Sequence, residues 1–310
     1  MGAYRSISPG RKRIRMGLIG AVALAMGLGV AGAGNAAPAP ALPVAATPNA
    51  STPCGTTSAT PAWQHVVWIV MENKSYNQII GSSAAPYVNS LAKKCGLATN
   101  YKAVTHPSLP NYLAMTSGST QGVTDDYPPS VHPISGPSIF SQLGTGWKAV
   151  QESMPSNCDL LNTQMYAVKH NPAAYYTNDA TACSTQDFAL GSTPNTSARF
   201  TFVTPNLCSD THDCTIATGD AWLSSFIPKI LNSTQYANGK TAIVLTWDED
   251  DHSSANQVAT VVIAPPVPAG MRSATAFTHY SLLRTTEQML SLAALNNAAT
   301  ASSMRAAFHL

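Results

Sequence analysis

The chain contains no G-x-S-x-G and no G-x-x-x-x-G-K-[ST], and it shows no internal repeat. The first absence argues against a serine acyl hydrolase, whose strand-to-helix turn needs those glycines around the nucleophile. The second argues against the phosphate loop of nucleotide hydrolases. Acidic residues are missing from positions 1–36, where Arg5, Arg11, Lys12, Arg13 and Arg15 precede an apolar run from Met16 to Val30. Charge followed by an apolar stretch is the order of a secretory signal peptide, and small residues place its cleavage after Ala36, with Ala33 as the second choice. No two arginines are consecutive there, which favours general secretion over the twin-arginine route. The modest length of the run and its four glycines argue against an uncleaved membrane anchor.

Cleavage changes the charge reading. Five of the 17 basic residues leave and none of the 15 acidic ones, so 12 stand against 15 and the net charge is −3. The formal +2 of the whole chain therefore carries no argument for nucleic acid, which is not expected as a partner. Residues 37–62 are Ala/Pro/Thr-rich and read as an extended spacer. Residues 63–310 remain for one folded domain, enough for a large core.

Six cysteines, Cys54, Cys95, Cys158, Cys183, Cys208 and Cys214, follow the export segment. An oxidising compartment favours their pairing. Of the fifteen pairings that six cysteines allow, local spacing favours Cys208 with Cys214 and then Cys158 with Cys183, leaving Cys54 with Cys95. A zinc site on "CSDTHDC" is the competing reading, although no second Cys/His pair lies nearby.

Apolar and β-branched runs alternate with helical spacing along the rest of the chain. "HVVWIVM", "WKAVQES", "RFTFVTPN", "TAIVLTW" and "QVATVVIAPP" read as strands, and "APYVNSLAKKCG", "NYLAMTSG", "DAWLSSFIPKIL" and "HYSLLRTTEQMLSLAAL" as helices. This predicts an α/β fold, a mostly parallel central sheet sandwiched by helices, with any ligand crevice at the carboxyl ends of the strands. Between Gly118 and Ser197 the chain is rich in Pro, Ser and Thr and reads largely as loops over that crevice.

Two apolar strands end in acid: "VVWIVM" runs into Glu72 and Asn73, and "AIVLTW" into Asp248 and Glu249. In a parallel sheet both ends meet at one edge, where hard oxygen ligands can hold a divalent cation. A solvated acidic turn is the plain alternative for "DEDD". Ser108 lies between Pro107 and Pro110 ahead of an apolar helical stretch. A helix N-terminus there favours phosphate oxygens, and Ser108 can equally serve as an N-cap. His106, His170, His212 and His279 are candidates for proton transfer; His65, His132, His252 and His309 receive no role.

Together "VVWIVMENKSYNQIIG", "THPSLPNYLAMTSG", "KHNP", "PNLCSDTHDCTIATGDAWL", "TWDEDDHSSANQVATVVIAP" and "HYSLLRTTEQML" resemble the bacterial phosphoesterase family. This family contains phospholipases C and secreted acid phosphatases and belongs to the alkaline phosphatase-like superfamily. The likeness spans Trp63 to Leu292, and the short chain is most similar to the secreted acid phosphatases, phosphatidylinositol-3-phosphatase-like members included. The resemblance implies Ser108 as the nucleophile that accepts the phosphoryl group, with His106, His170, His212 and His279 around phosphate and leaving group. It also implies Asn73, Asn111 and Asp213 as substrate contacts, Asp210 and Asp220 as supporting acids, and Glu72, Asn73, Asp248 and Glu249 as metal ligands. A Glu with Asn and an Asp with Glu stand where two-zinc members use several Asp and His. One divalent ion is therefore expected, with metal-independent turnover left open. The expected reaction is hydrolysis of a small-molecule or lipid phosphate monoester; a phospholipase C-like phosphodiesterase and a non-catalytic cation-stabilised binding protein are the alternatives.

Overall fold

The structure, a computed structural model, describes residues 46–191 and 194–310. The segment read as a signal peptide, and the spacer as far as residue 45, lie outside the described residues. Ten strands occur among the described residues: β1 (His65–Met71), β2 (Gly96–Ala98), β3 (Tyr101–Lys102), β4 (Trp147–Gln151), β5 (Asp187–Ala189), β6 (Phe200–Thr204), β7 (Thr241–Trp247), β8 (Thr260–Ile263), β9 (Arg272–Ser273) and β10 (Phe277–Thr278). Eight of them form one sheet in the order β5-β4-β6-β1-β7-β8-β2-β9, and β10 pairs with β3 alone. Neighbours from β5 to β7 are parallel, and β8 runs against both β7 and β2. This is the mostly parallel α/β sheet expected, with one reversed strand.

The central strands are apolar on both faces because helices cover both faces. All seven residues of β7 are buried, and in β1 only His65 is partly exposed. Burying such side chains contributes roughly 1.5–3 kcal/mol each. Trp68 satisfies its indole N–H on Thr286 Oγ1 at 3.0 Å, so the large ring enters the core without an orphaned donor.

The register of β1 on β7 sets the chemistry. Met71 lies opposite Trp247, so the next residues of the two strands, Glu72 and Asp248, emerge side by side at the carboxyl edge. The Asp248 N–H donates to the Met71 carbonyl at 2.9 Å, which continues the ladder up to the first acid.

Opposite that edge stands the helix Ser108–Ser117, every residue of which is buried. It ends at Gly118, where φ is +73° and a Cβ would fall 2.3 Å from the Leu295 carbonyl oxygen. Only glycine fits both constraints. Asp220, read as a possible support for the histidines, has another place: its carboxylate accepts the Tyr87 and Val88 N–H groups, both at 2.9 Å, and so caps the helix Pro86–Lys94. A carboxylate at a helix N-terminus is stabilised there, and it is not part of the crevice.

Part of the stretch read as a spacer is tied to the domain. Cys54 pairs with Cys95, the Pro53 carbonyl accepts the Tyr236 hydroxyl, and the Thr56 N–H donates to Pro265 at 3.0 Å. The other two disulfides are Cys158–Cys183 and Cys208–Cys214, so "CSDTHDC" holds a disulfide and not zinc. The Gly118–Ser197 region is more ordered than its composition suggests. It contributes the edge strand β5, its neighbour β4 and the helices Ile139–Leu143 and Ala180–Gln186. Among the described residues no helix is long and apolar enough to cross a membrane.

Candidate active site

Ser108 is the first residue of its helix, and Pro107 occupies the cap position. The hydroxyl is therefore not used as a cap. Its Oγ lies 3.2 Å from Glu72 Oε2 and 3.5 Å from Glu249 Oε1, and the residue is 1 % exposed. Helix and sheet edge thus converge on one oxygen.

Glu72 has no exposed surface. Tyr112, one helical turn beyond Ser108 and hence on the same face, donates its hydroxyl to Glu72 Oε1. The Glu72 N–H donates to the Asp210 carbonyl at 2.8 Å, and its own carbonyl accepts the Thr211 hydroxyl at 2.7 Å. Asn73 follows in the left-handed region, φ +51°, with its N–H on Asp248 Oδ1 at 3.2 Å. Asparagine tolerates that conformation better than most side-chain-bearing residues.

The crevice holds more acid than base. Burial, then the charges of Asp248 and Asp210, raise the Glu72 pKa well above the ordinary carboxylate value. Burial likewise lifts Asp210, Asp248 and Glu249, and for Glu249 the charge of Asp248 adds to it. Several polar atoms there lack hydrogen-bond partners: Asp248 Oδ2, Asp210 Oδ2, Asn73 Oδ1 and His170 Nε2. His170 Nε2 lies 3.3 Å from Glu72 Oε1 but is not aligned for a hydrogen bond. One donor atom each from Glu72, His170 and His212 can be drawn within 4.8 Å of one another. Orphaned hard oxygens beside imidazoles are a donor set that suits a divalent cation.

The histidines divide into two groups. His170 is buried between Glu72 and Asp210, 3.3 and 3.5 Å away, and stacks on Tyr112; burial, then Lys169 and His212, hold its pKa well below the ordinary value. His212 reaches Asp213 Oδ1 at 2.6 Å through Nδ1, and its backbone N–H is held by Asp210. His106 places Nδ1 2.8 Å from Glu249 Oε2 and Nε2 3.2 Å from Asp250 Oδ1, and stacks on His252 at 3.9 Å. These three surround the serine and the acids. His279 stands apart: its Nε2 donates to the Asp248 carbonyl at 2.6 Å and its Nδ1 accepts the Tyr101 hydroxyl at 3.1 Å. With both ring nitrogens engaged on the protein, it orients the Asp248 backbone and does not face the crevice.

Asn111, expected as a substrate contact, braces the serine loop. Its Oδ1 accepts the Val104 and Thr105 N–H groups at 3.0 Å, and its Nδ2 donates to the Thr105 and Pro107 carbonyls and to Glu249. Asp213 stays at the rim, more than half exposed, against His212.

Four residues of the site escape sequence reasoning. Tyr112 had a signal, the i+4 spacing from Ser108. Asp250 fastens the loop after β7, accepting the His252, Ser254 and Asn256 N–H groups. Lys169 adjoins His170 in "KHNP", and its Nζ pairs with Asp126 Oδ2 at 2.9 Å. Burial pulls the Lys169 pKa down, but the Asp126 hydrogen bond and charge outweigh it and leave it raised. Asp126, on a loop with no periodicity, also accepts the Leu109 N–H at 2.9 Å.

A parallel sheet with carboxylates at its strand ends, facing a buried serine at a helix start, defines a hydrolase of the alkaline phosphatase-like fold. Comparison with known proteins narrows the class: the Phosphoesterase family model matches residues 82–293, and the chain belongs to that family. It is 37% identical over 244 residues to the phosphatidylinositol-3-phosphatase of Mycobacterium tuberculosis, covering 76% of this chain and 79% of that protein. It is 31% identical over 245 residues to an acid phosphatase of Aspergillus fumigatus, covering 70% of this chain and 52% of the fungal protein. Among solved structures, the lipoteichoic acid synthase LtaP of Listeria monocytogenes superposes with a TM-score of 0.54 at 11% identity, covering 78% of this chain and 77% of that one. An alkaline phosphatase superfamily protein of Vibrio parahaemolyticus gives 0.50 at 10%, covering 76% and 70%. At such identities these structures speak for the fold alone. The chain is a phosphoric ester hydrolase.

Proposed function

We propose that the chain is a secreted acid phosphatase that hydrolyses phosphate monoesters through a phosphoserine at Ser108. The observation that carries this is the position of Ser108 Oγ, 3.2 Å from Glu72 and 3.5 Å from Glu249 at the start of a buried ten-residue helix. A hydroxyl beside carboxylates, with helix N–H groups behind it, is suited to attack phosphorus while the dipole favours the anion.

Glu72, Asn73 and Asp248 are the residues that would hold a divalent ion. When bound, such an ion lowers the pKa of the serine hydroxyl and offsets phosphoryl charge. The rest falls to the chain. Tyr112 keeps Glu72 in place; Glu249, positioned by His106 and Asn111, takes up the serine proton. His170 and His212 serve the phosphoryl oxygens and the leaving alcohol. Water then cleaves the phosphoserine. Three disulfides suit an oxidising compartment and support export.

A lipid phosphate as substrate is favoured by a specific feature. Leu160, Leu161, Ala173 and Tyr175 line an apolar cavity of about 680 Å³. Ala173 follows His170 by three residues, and Tyr127, 60 % exposed, follows Asp126. The mycobacterial relative is named for a phosphoinositide, which agrees with this feature.

The test is phosphate release from p-nitrophenyl phosphate across pH, with EDTA or added divalent ions, alongside phosphatidylcholine. Release of inorganic phosphate at acid pH, with phosphate retained on Ser108 after acid quench, is the expected result. Phosphocholine without inorganic phosphate would turn the reading to a phospholipase C-like phosphodiesterase.

A further inference from the structure

Two groups beside Ser108 are suited to receive a phosphoryl oxygen: the Leu109 N–H, immediately after the nucleophile, and the Lys169 ammonium. Both are occupied by one side chain. Asp126 Oδ1 accepts the Leu109 N–H at 2.9 Å, and Asp126 Oδ2 pairs with Lys169 Nζ at 2.9 Å. A carboxylate bridging a helix amide and a cation presents two anionic oxygens in the manner of two non-bridging phosphate oxygens.

Lys169 is placed to act on the whole crevice. Its charge reaches Glu72, Asp210, Asp248 and Glu249. The residue after it, His170, is buried with Nε2 unpartnered, 3.3 Å from the carboxylate that receives the Ser108 hydroxyl. Asp126 and Lys169 keep partly exposed side chains, 29 % and 21 %, so the pair can open without unpacking the core.

Resting on the phosphatase reading, we propose that Asp126 is a tethered competitor of the substrate phosphate. In the ligand-free enzyme it fills the position between the Leu109 N–H and Lys169, and it must move aside before a phosphoester engages them. Lys169 is then a phosphate-binding residue, and Asp126 sets the affinity of the site.

The experiment measures the competitive inhibition constant of inorganic phosphate and the KM for p-nitrophenyl phosphate in the full chain. The variants are Asp126→Ala, Asp126→Asn and Lys169→Met. Removing the competitor lowers both constants about tenfold in the two Asp126 variants, and removing the ammonium raises them by a similar factor, as expected for a charge-assisted contact. The split between KM and kcat distinguishes this from a bracing role, because kcat changes far less than KM. Asn retains an acceptor for the Leu109 N–H, so a folding defect confined to Ala is separable by thermal unfolding. An Asp126→Asn variant that folds normally and binds phosphate as the parent does, or more weakly, overturns the proposal. Calorimetric titration with phosphate reads the same shift without turnover. A chain that hydrolyses no phosphoester therefore defeats the phosphatase reading while the titration still decides the role of Asp126. Phosphate that binds neither parent nor variants defeats the proposal as well.

Discussion

Two of the buried acidic regions among the described residues differ in the kind of partner each acid has. At the carboxyl ends of β1 and β7, Glu72, Asp210, Asp248 and Glu249 gather with imidazoles, a serine and a tyrosine, and several of their oxygens have no donor. Some way along the sheet, at the start of β5, Asp187 is equally buried but alone: the Asn171 side-chain amide donates to its Oδ2 at 2.7 Å, and the Asn171 carbonyl oxygen in turn accepts from Gln151. Cys158 and Cys183 stand beside Asp187, but their sulfurs are joined in a disulfide and are not metal ligands. Burial favours the protonated form of this single acid, the amide donor on Oδ2 works against it, and only Oδ1 is left without a partner. Four acids gathered with imidazoles, several of their oxygens unpartnered, are a donor set that suits a cation. Burial alone would not have separated the two regions; the chemistry of the neighbours does.

The sharpest break in the comparison comes at the reactive hydroxyl. Ser108→Ala removes the group and little packing, so turnover should fall at least about a thousandfold, the scale seen when a nucleophile is deleted, with thermal stability nearly unchanged. Equal activity in that variant would discard the nucleophile assignment. The Asp187 region breaks in the opposite sense. Opening the Cys158–Cys183 disulfide, which closes a separation of 25 residues, with both cysteines changed to Ser, should lower unfolding stability by about 3.5 kcal/mol. In a urea titration this appears as a lower midpoint, while kcat of the remaining folded enzyme on p-nitrophenyl phosphate stays within about threefold, since neither cysteine contacts Ser108 or the crevice acids.

Most of the fold was legible in the sequence, because a strand buried on both faces must be apolar throughout and must stop where the first charge appears. "HVVWIVM" before Glu72 and "TAIVLTW" before Asp248 therefore declared both the strands and the edge at which their acids meet. The antiparallel direction of β8 was not legible, since periodicity carries no direction. Within the site, Ser108, His106, His170, His212 and the four strand-end residues come together as their motifs suggested. His279 and Asn111 carry the same motifs yet face inward, towards the Asp248 carbonyl and the serine loop. A motif names a residue but not which of its atoms is already bonded. Asp126 and Asp250 act through loop geometry, where no spacing rule applies.

Divalent ions should sharpen the difference between the regions. An ion that binds only the folded state, at a hundred times its dissociation constant, should stabilise the chain by about 2.7 kcal/mol. Asp248→Asn keeps the acceptor for the Asn73 N–H and should abolish that gain, while in EDTA it should melt no lower than the parent, because a repelled buried acid has been made neutral. Asp187→Asn should retain the full ion response. A panel of divalent ions in thermal unfolding reads both variants, and an ion response that survives Asp248→Asn would move the ligands elsewhere.

The smallest expected effect belongs to Asp187, whose pKa burial pushes up to about 8, against the lowering hydrogen bonds of Asn171 and Gln151. Between its ordinary value and about 8 the folded chain holds a proton that the unfolded chain has released. Stability from this group is therefore complete at acid pH and is lost as pH rises through the folded pKa. The slope from one such proton is about −1.4 kcal/mol per pH unit at most. Urea unfolding at intervals from pH 5 to pH 8, with EDTA present so that no ion contributes and the crevice acids titrate alike in both chains, should show the parent weakening faster than Asp187→Asn, which has no proton to lose. Parallel curves would mean that Asp187 stays ionised in the fold, held by the amide donors of Asn171 and Gln151.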